Sequence, residues 1–448
     1  MKPLLLFTGP VVTRSGYGAH SRDLVRSLIK MDKFEIHINS LRWGNTPWNA
    51  LNLQNEEDKL ILDRILKEPN LPREPDIHIQ VSIPSEFTPL AKYNIGVTAG
   101  MENTAPVPSW VDGMNKMDMV ICTSNFTKDT FKKVVYEQID KNTNQKTGEL
   151  RVVKPMEVLF EGVDTSIYKQ TKEFSKDLVD EMNMIEEKFC FLYVGHWLQG
   201  DLGQDRKDTG MLVKTFLEKF KNVKRPPALI MKTSSATFSV IDRRDILKRI
   251  EMIKKSVKGK LPPVYLLHGD LEDEEMNQLY NHPKVKVMVS FTKGEGFGRP
   301  LLEASIAAKP IIASNWSGHL DFLNKKHSVL LPGNLTKVHK SALPKDYLVE
   351  NAQWFTVNYQ YAAQIMMDMF KNYRKYTFNA KKQAMVNKGK FSLKSMSRVF
   401  ESILNKYLPK FEQQPQAVDL KLPDLKLVSD NKPLLRAEDM KLPKLKRS

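Results

Sequence analysis

The chain has 448 residues, of which 41% are apolar and 27% charged, and its formal net charge is +17. These fractions are typical of a globular protein, and the length exceeds what one hydrophobic core usually organises, so two domains are expected. No run reaches the roughly 18 apolar residues that a membrane span needs. The N-terminal apolar stretch is too short for a signal peptide, which leaves no targeting or spanning segment in the prediction.

The two cysteines and the excess of positive charge bear on location and partners. Cys122 and Cys190 each lie inside an apolar, strand-like run, which predicts reduced core thiols in a cytoplasmic protein and argues against a disulfide framework or a zinc site. The positive charge suggests an anionic acceptor or peripheral surface, such as nucleic acid, a phosphorylated glycan carrier or anionic lipid. A solvated basic surface with no such partner explains the charge equally well.

Strand-like runs alternate with helical patterns, which is typical of parallel α/β sheets. The first half of the chain offers six runs, at 4–7, 34–38, 77–81, 93–98, 119–123 and 152–160. The second half offers six more, at 189–194, 228–231, 264–268, 285–289, 311–313 and 328–331. A polar, helical stretch at 169–188 separates the two sets and predicts a domain boundary near residue 170.

Three further segments have a distinct composition. Residues 140–149 are polar and turn-rich, and are interpreted as an excursion between two elements of the first domain. Residues 355–408 have a helical pattern, with the last helix at 393–408. From 412 to 448, prolines and alternating charge predict a disordered tail that could serve as a docking segment.

Two glycine-containing loops resemble nucleotide-binding motifs only in part. Gly16-Tyr17-Gly18 follows the first strand, but the dinucleotide fingerprint is incomplete and no acidic residue ends the next strand to hold a ribose. An NAD site is therefore disfavoured, and an ordinary tight turn remains an alternative. Residues 195–200 match the start of a phosphate-binding P-loop, but Asp201 and Leu202 replace the required Lys and Ser/Thr, which disfavours an ATPase.

The most informative motif is 294–303, GEGFGRPLLE, directly after the apolar run 285–289. It predicts a buried strand, a loop with three glycines, and a helix with Pro300 in its first turn and Glu303 about one turn inside. Free N–H groups at a helix start attract phosphate or hydroxyl oxygens, and glycines let a ligand approach the main chain. Glu295 and Glu303, eight residues apart, would then bind different parts of one long ligand. A nucleotide-sugar fits that description.

This motif resembles the E-x7-E signature of retaining GT-B glycosyltransferases of family four, with Glu295 and Glu303 as its two glutamates. Residues 304–314 resemble the family's continuation into the next strand, and the similarity covers most of residues 4–410. The resemblance implies an α/β fold of two Rossmann-like domains facing a central cleft. The implied domains are an acceptor domain at 1–170, a nucleotide-sugar donor domain at 171–390 and a helix at 391–411 that returns to the first domain.

The resemblance also implies roles for individual residues of the donor domain. Arg206 and Lys207 match an Arg/Lys pair that stabilises the departing diphosphate, a role that fixed cations can fill. Glu303 would hold the ribose, and Glu295 would position the sugar together with the main chain of the following three residues. The implied donor-site loop thus comprises Glu295, Gly296, Phe297 and Gly298.

The resemblance assigns roles to residues at three further places in the chain, and at each place an alternative stays open. Gly16, Tyr17 and Gly18 face the donor across the cleft in relatives and would contact diphosphate or acceptor. Many members carry a histidine after the fourth strand, whereas this chain has Glu102, as one subgroup does; its role is open between acid/base chemistry and orienting the sugar or the acceptor hydroxyl. His268 would contact the nucleotide base or cap its strand.

The sequence therefore predicts a retaining enzyme that moves a hexose-type sugar from a nucleoside-diphosphate sugar to an acceptor hydroxyl of a glycan or lipid-linked glycan. No Asp-x-Asp occurs, so neither an essential metal nor another cofactor is expected. Two alternatives remain. One is a glycosyltransferase acting on modified DNA bases, supported by the positive charge alone, and the other is a non-catalytic nucleotide-sugar or nucleic-acid binding protein of the same fold.

Overall fold

Two parallel six-stranded sheets follow one another along the chain in this computed structural model, which describes residues 2–68, 70–140, 142–235 and 237–411. All twelve predicted strands are present, with ends that differ from the prediction by up to four residues. Central strands such as β1 (Leu4–Gly9) and β3 (Ile77–Val81) are buried along their whole length. Helices cover both faces of such sheets, which is why these strands appear in the sequence as continuous apolar runs.

The first sheet has the strand order β2-β1-β3-β4-β5-β8. Its other strands are β2 (Glu35–Ser40), β4 (Tyr93–Thr98), β5 (Met119–Cys122) and β8 (Met156–Val158). The predicted excursion at 140–149 belongs to an antiparallel hairpin of β6 (Tyr136–Ile139) and β7 (Lys146–Leu150). The helices of this half are α1 (Gly16–Met31), α2 (Glu56–Leu62), α3 (Pro108–Lys116) and α4 (Asn125–Lys133).

The second sheet has the order β11-β10-β9-β12-β13-β14. Its strands are β9 (Cys190–Val194), β10 (Ala228–Lys232), β11 (Val264–Leu267), β12 (Val285–Val289), β13 (Ile311–Ser314) and β14 (Val329–Leu331). The accompanying helices are α5 (Lys176–Asn183), α6 (Thr209–Phe220), α7 (Val240–Lys255), α8 (Asp273–Asn281) and α9 (Arg299–Ile306). The predicted boundary near residue 170 stays a prediction; it lies between the last strand of the first sheet and α5.

A second hairpin follows and corrects part of the helical prediction for 355–408. It pairs β15 (Gly333–Lys337) with β16 (Gln353–Val357), so residues 355–357 form a strand. Trp354 is 1% exposed, and Phe355 and Val357 pack against the core of the second sheet. Trp354 and Phe355 are both buried and belong to different hydrophobic clusters, and aromatic and β-branched residues in succession favour a strand there over a helix.

The chain then ends its described part with α10 (Tyr359–Lys371), α11 (Arg374–Lys390) and α12 (Leu393–Tyr407). Met396 and Phe400 of α12 are fully buried in the core of the first sheet, beside residues of α1. The Ser397 and Ser27 hydroxyls lie 2.7 Å apart across the same contact. The last helix therefore returns to the first half, as predicted. The tail predicted at 412–448 lies outside the described residues.

Strand order fixes where a ligand site is expected. In the second sheet, β9 has β10 on one side and β12 on the other, so the connections that leave β9 and β12 run in opposite directions. Loops after the carboxyl ends of two such strands leave a crevice between them, and ligands of α/β proteins bind there. The loops after β9 and β12 carry the residues singled out in the sequence.

A candidate donor site between the two sheets

The loop after β12 and the start of α9 have the predicted strand–loop–helix geometry. Gly298 is the N-cap of α9 with φ +99°, a left-handed conformation that glycine adopts at little cost. Pro300 lies in the first helical turn, where a missing N–H is tolerated. The loop holds the Glu295 side chain in the interior, with only 8% of the residue exposed. A buried carboxylate needs partners, and it has them.

Four predicted residues from three separate loops meet around this carboxylate. The Lys207 ammonium lies 2.5 Å from one Glu295 oxygen, and the Arg206 guanidinium lies 3.4 Å from the other. Arg206 also donates to the main-chain oxygen of Gly294 at 2.8 Å and lies 3.7 Å from the Glu102 carboxylate. The structure therefore assembles two cations and two carboxylates from the loops after β4, β9 and β12.

The two carboxylates of this cluster differ in environment. Burial by itself raises the pKa of Glu295, but Lys207 and Arg206 outweigh it and hold the pKa at about 2. Glu295 is therefore ionised at neutral pH and acts as a hydrogen-bond acceptor rather than a proton donor. The Glu102 side chain is 32% exposed against 11% for Glu295. Glu102 is thus the more accessible of the two to a ligand.

The first two glycines of the motif contact protein main chain closely, which the sequence did not show. A Cβ atom on Gly294 would lie 2.0 Å from the Glu102 oxygen, and one on Gly296 would lie 1.7 Å from the Ala99 oxygen. Both distances are far inside van der Waals contact. The prediction that these glycines open the main chain to a ligand therefore needs a correction, because here they let the loop after β4 approach.

Phe297 and Gly298 also pack closely against other protein residues. The Phe297 ring is 2% exposed and packs against Phe322 with ring centroids 5.0 Å apart. Only its main chain is left to contact a ligand. A Cβ atom on Gly298 would lie 3.1 Å from the Cβ atom of His319, so this glycine is required both by its φ angle and by its neighbour.

Glu303 lies one turn inside α9, as predicted, and is 7% exposed. One carboxylate oxygen accepts from Arg299 Nε at 3.0 Å and the other from the Tyr280 hydroxyl at 3.1 Å. Arg299 also donates to Asp23 of α1 at 2.6 Å. Arg299 was assigned no role from the sequence, although it stands inside the motif and pairs with Glu303.

A further carboxyl group, Glu161, lies beside this network and was assigned no role from the sequence. It is 6% exposed. Burial raises its pKa to about 7, against a lowering influence of Arg299 and a further raising influence of Asp23. An acid whose folded pKa lies above its ordinary value of 4.5 binds a proton on folding, so its contribution to stability falls as the pH rises from 4.5 to 7.

Replacing Glu161 with glutamine is expected to stabilise the protein above pH 7, because the amide removes the charge and keeps the shape. The expected gain in unfolding free energy is about 1–3 kcal/mol in alkaline buffer, shrinking to near zero in acid. Urea unfolding across this pH range measures it. Glu137→Gln, in a side chain that is 62% exposed, serves as the control. A destabilised Glu161→Gln variant at alkaline pH would contradict the assignment.

The first turn of α1, which follows the loop after β1, faces the same cleft. The Tyr17 hydroxyl lies 3.1 Å from Thr98 Oγ1 and accepts from the main-chain N–H of Ala99 at 3.1 Å. Tyr17 therefore supports the loop that carries Glu102. Gly18 approaches the Thr13 oxygen, where a Cβ atom would lie at 2.3 Å, whereas a Cβ atom on Gly16 would meet nothing within 4 Å. Of the two glycines, Gly16 has the open surroundings that a ligand contact needs.

His268 lies at the end of β11, away from the Glu295 cluster. Its side chain is 4% exposed, and Nε2 lies 2.8 Å from an Asp242 carboxylate oxygen. Next to it, the Lys232 ammonium donates to the Gly269 oxygen at 2.5 Å, and burial lowers the pKa of Lys232 to about 8. Of the two readings left open by the sequence, this hydrogen bonding favours a structural role for His268.

Three arginine–carboxylate pairs join the two halves of the chain across the cleft. One is Arg206 with Glu102 and another is Arg299 with Asp23, both described above. The third is Arg14, whose guanidinium lies 2.7 Å from Asp270 and 2.6 Å from Glu272. The sequence offered one signal for Arg14, a cation within the first glycine-containing loop, and this signal was not used.

Two features are absent from the described residues. Across 2–411, apart from the three internal gaps, no three His, Cys, Asp or Glu side chains are placed to share a metal ion. Within the same ranges, no helix combines the length and the apolar character needed to cross a bilayer. Independence from metal stays a prediction.

Comparison with known proteins bears on the family. Residues 214–343 match the family model of glycosyl transferases group 1. This segment begins inside α6 and includes β12, the loop with Glu295 and α9, but not Arg206 or Lys207. No curated protein sequence matches the chain.

Solved structures resemble nearly the whole described chain at low identity. HepE from Anabaena, in complex with UDP and glucose, is 12% identical with a TM-score of 0.58, and the match covers 90% of this chain and 100% of that chain. Sucrose-phosphate synthase from Thermosynechococcus elongatus is 12% identical with a TM-score of 0.59, and the match covers 91% of this chain and 99% of that chain. A glycosyltransferase from Rickettsia africae is 16% identical with a TM-score of 0.56, and the match covers 90% of this chain and 98% of that chain. The chain therefore has the two-domain GT-B fold, and its residues 214–343 match glycosyl transferases group 1.

Proposed function

We propose that the protein is a retaining glycosyltransferase that moves a hexose-type sugar from a nucleoside-diphosphate sugar to an acceptor hydroxyl. The observation that carries this proposal is the cluster of Arg206, Lys207 and Glu295 at the crevice between β9 and β12. Cations that converge at such a crevice, next to a helix start, suit a diphosphate. The family match of residues 214–343 supports the same reaction class.

The proposed chemistry assigns a separate task to each charged group. As the bond between sugar and diphosphate breaks, negative charge develops on the diphosphate, and Lys207 and Arg206 stabilise it electrostatically. Glu295, ionised at neutral pH, accepts hydrogen bonds from sugar hydroxyls once the diphosphate competes for its cations. Glu102, on the opposite wall and more exposed, orients the acceptor hydroxyl or the sugar.

The nucleoside part of the donor is proposed to lie along α9. Glu303 would accept from the ribose hydroxyls, sharing its oxygens with Arg299 and Tyr280. Gly16 and Tyr17 would line the opposite wall, where Gly16 leaves open space. A structural neighbour, HepE, binds UDP-glucose, and for this reason UDP-sugars come first among the donors to be tested.

The acceptor is proposed to be a hydroxyl of a glycan or lipid-linked glycan, and no metal or other cofactor is proposed. A cytoplasmic location agrees with the cysteines, since Cys122 and Cys190 are both free and buried. Transfer to modified DNA bases stays the alternative for the acceptor, and donor binding without catalysis is an outcome that the experiment below separates from this proposal.

The test is release of nucleoside diphosphate from a panel of UDP-, GDP- and ADP-sugars, compared between the native protein and Glu295→Ala. Glu218→Ala, an exposed carboxylate on α6, is the matched control. Release with one donor that only Glu295→Ala abolishes would support the proposal and identify the sugar. Donor binding without release or transfer would indicate a non-catalytic protein, and the absence of any donor binding would refute the proposal.

A further inference from the structure

Helix α11 exposes apolar side chains and buries polar ones. Phe378 is 64% exposed, Met385 76% and Val386 40%, whereas Gln383 is 2% exposed and Asn387 fully buried. A helix on the surface of a globular protein normally shows the reverse arrangement. Single exposed apolar residues need no explanation, but a group on one helix does.

The buried polar face is accounted for by specific hydrogen bonds. Gln383 donates to the Phe322 oxygen at 2.7 Å and accepts from the Asn324 N–H at 2.9 Å. Asn387 donates to Ser305 of α9 at 2.7 Å. These bonds fix α11 on the second domain with its inner face fully partnered. Packing within the described residues therefore gives no reason for the apolar side chains on the outer face.

The outer face combines these apolar groups with positive charge alone. Phe378, Lys382 and Met385 are spaced by four and three residues, which places them on one stripe of the helix. The Lys382 ammonium lies over the Phe378 ring, 4.4 Å from its centroid. Between 374 and 390 the sequence has six Lys and Arg residues and no Asp or Glu. We call Phe378, Lys381, Lys382 and Met385 the α11 stripe.

A cavity beside the stripe has the same sign of charge. It has a volume of about 360 Å³, is open to solvent, and is lined by Lys172, Lys309 and Lys381, together with Thr171 and Thr377. Its lining includes no Asp or Glu. The Lys309 ammonium already donates to main-chain oxygens, the nearest being Val285 at 2.7 Å, and the Thr377 hydroxyl donates to the Arg374 oxygen at 2.9 Å. Lys172 and Lys381 are therefore the cations of this lining that would meet a phosphate oxygen. A phosphate group held there would lie next to the apolar side chains of the stripe.

We propose that the α11 stripe docks the protein on an anionic membrane surface. Phe378 and Met385 enter the boundary between headgroups and acyl chains, and the lysines contact lipid phosphates. A helix face that combines Lys with exposed Phe and Met fits a lipid interface, where both groups are satisfied. A nucleic-acid backbone would use the lysines and leave Met385 in water. The proposal does not depend on the transfer reaction proposed above.

Vesicle co-sedimentation of the full-length protein tests this proposal. The probes are phosphatidylcholine vesicles with and without phosphatidylglycerol. The native protein is expected to bind the anionic vesicles and not the neutral ones. Lys381→Glu with Lys382→Glu, and separately Phe378→Ser with Met385→Ser, are each expected to weaken binding at least about tenfold, because each cation and each inserted side chain contributes to partitioning.

Helix α7 supplies matched controls, since it also exposes apolar and basic residues but carries Asp and Glu among them. Lys248→Glu with Lys255→Glu matches the charge change, and Ile241→Ser with Met252→Ser matches the apolar change at residues 71% and 56% exposed. Thermal unfolding checks that every variant is folded. The proposal is overturned if the native protein does not bind anionic vesicles, or if the α7 and α11 variants lose vesicle binding equally. It is also overturned if the α11 variants lose binding to duplex DNA and not to the vesicles.

Discussion

Replacing Lys207 with alanine is expected to lower donor turnover by about 10²–10³-fold, the usual effect of removing one group that stabilises transition-state charge. Lys207 is the closest cation to Glu295, at 2.5 Å, and burial in the crevice keeps water from taking its place. Its loss would remove one of the two cations proposed to stabilise the leaving diphosphate. It would also leave Arg206 as the cation beside Glu295, whose pKa is then expected to rise from about 2 toward its ordinary range. The acidic limb of the pH–rate profile is therefore expected to shift to higher pH.

The measurement is diphosphate release by the native protein, Lys207→Ala and Lys221→Ala over a range of pH. Lys221 is a partly exposed lysine just after the C-terminal end of α6, paired with Glu218, and its removal should leave turnover unchanged. Arg206 still contacts Glu295 in the variant, so a stable folded protein is expected. Equal turnover of native and Lys207→Ala would remove Lys207 from the proposed mechanism.

Replacing Gly296 with alanine is expected to abolish most activity, with a loss of at least about 10²-fold, while the protein remains folded. The added methyl group would lie 1.7 Å from the Ala99 oxygen, so the two loops must separate. Ala99 follows a strand of the first sheet and Gly296 a strand of the second. Small displacements of positioned groups have effects of this size on catalysis.

Each sheet has its own hydrophobic core, which is why the loss of stability is expected to be smaller than the loss of activity. Steady-state kinetics and thermal unfolding of Gly296→Ala measure the two effects separately. Gly389→Ala is the matched control, because a Cβ atom there meets nothing within 4 Å and an alanine favours the helix. Full activity of Gly296→Ala would show that the loops tolerate separation.

The sheets were predictable because buried parallel strands are continuous apolar runs, and all twelve were located. The hairpin of β15 and β16 was missed for a physical reason. Four of the five residues of β15 are exposed, and Asn334, Thr336 and Lys337 are polar, so this strand has no apolar signature. Its partner β16 directly precedes three helices in the chain, and the helical prediction for 355–408 therefore included its last three residues.

The site was predicted unevenly. The family resemblance placed Glu102, Arg206, Lys207 and Glu295 at one site, and the structure brings these four side chains together. The close contacts of Gly294 and Gly296 were not predicted, because a sequence shows that a glycine is present and not which group approaches it. The buried Phe297 ring was missed for a similar reason, since an aromatic residue in a motif fits a binding role and a core role equally.

The three arginine–carboxylate pairs across the cleft have a kinetic consequence. If the proposed donor enters and its nucleoside diphosphate leaves between the two halves, Arg14, Arg206 and Arg299 would have to release their partners on the opposite half. Exit of the spent nucleotide would then limit the overall rate, as in many enzymes that close around their substrates. Dissolved salt screens such pairs. Added salt at low concentration would therefore speed the release of the nucleotide, whereas a high salt concentration would weaken the binding of its diphosphate.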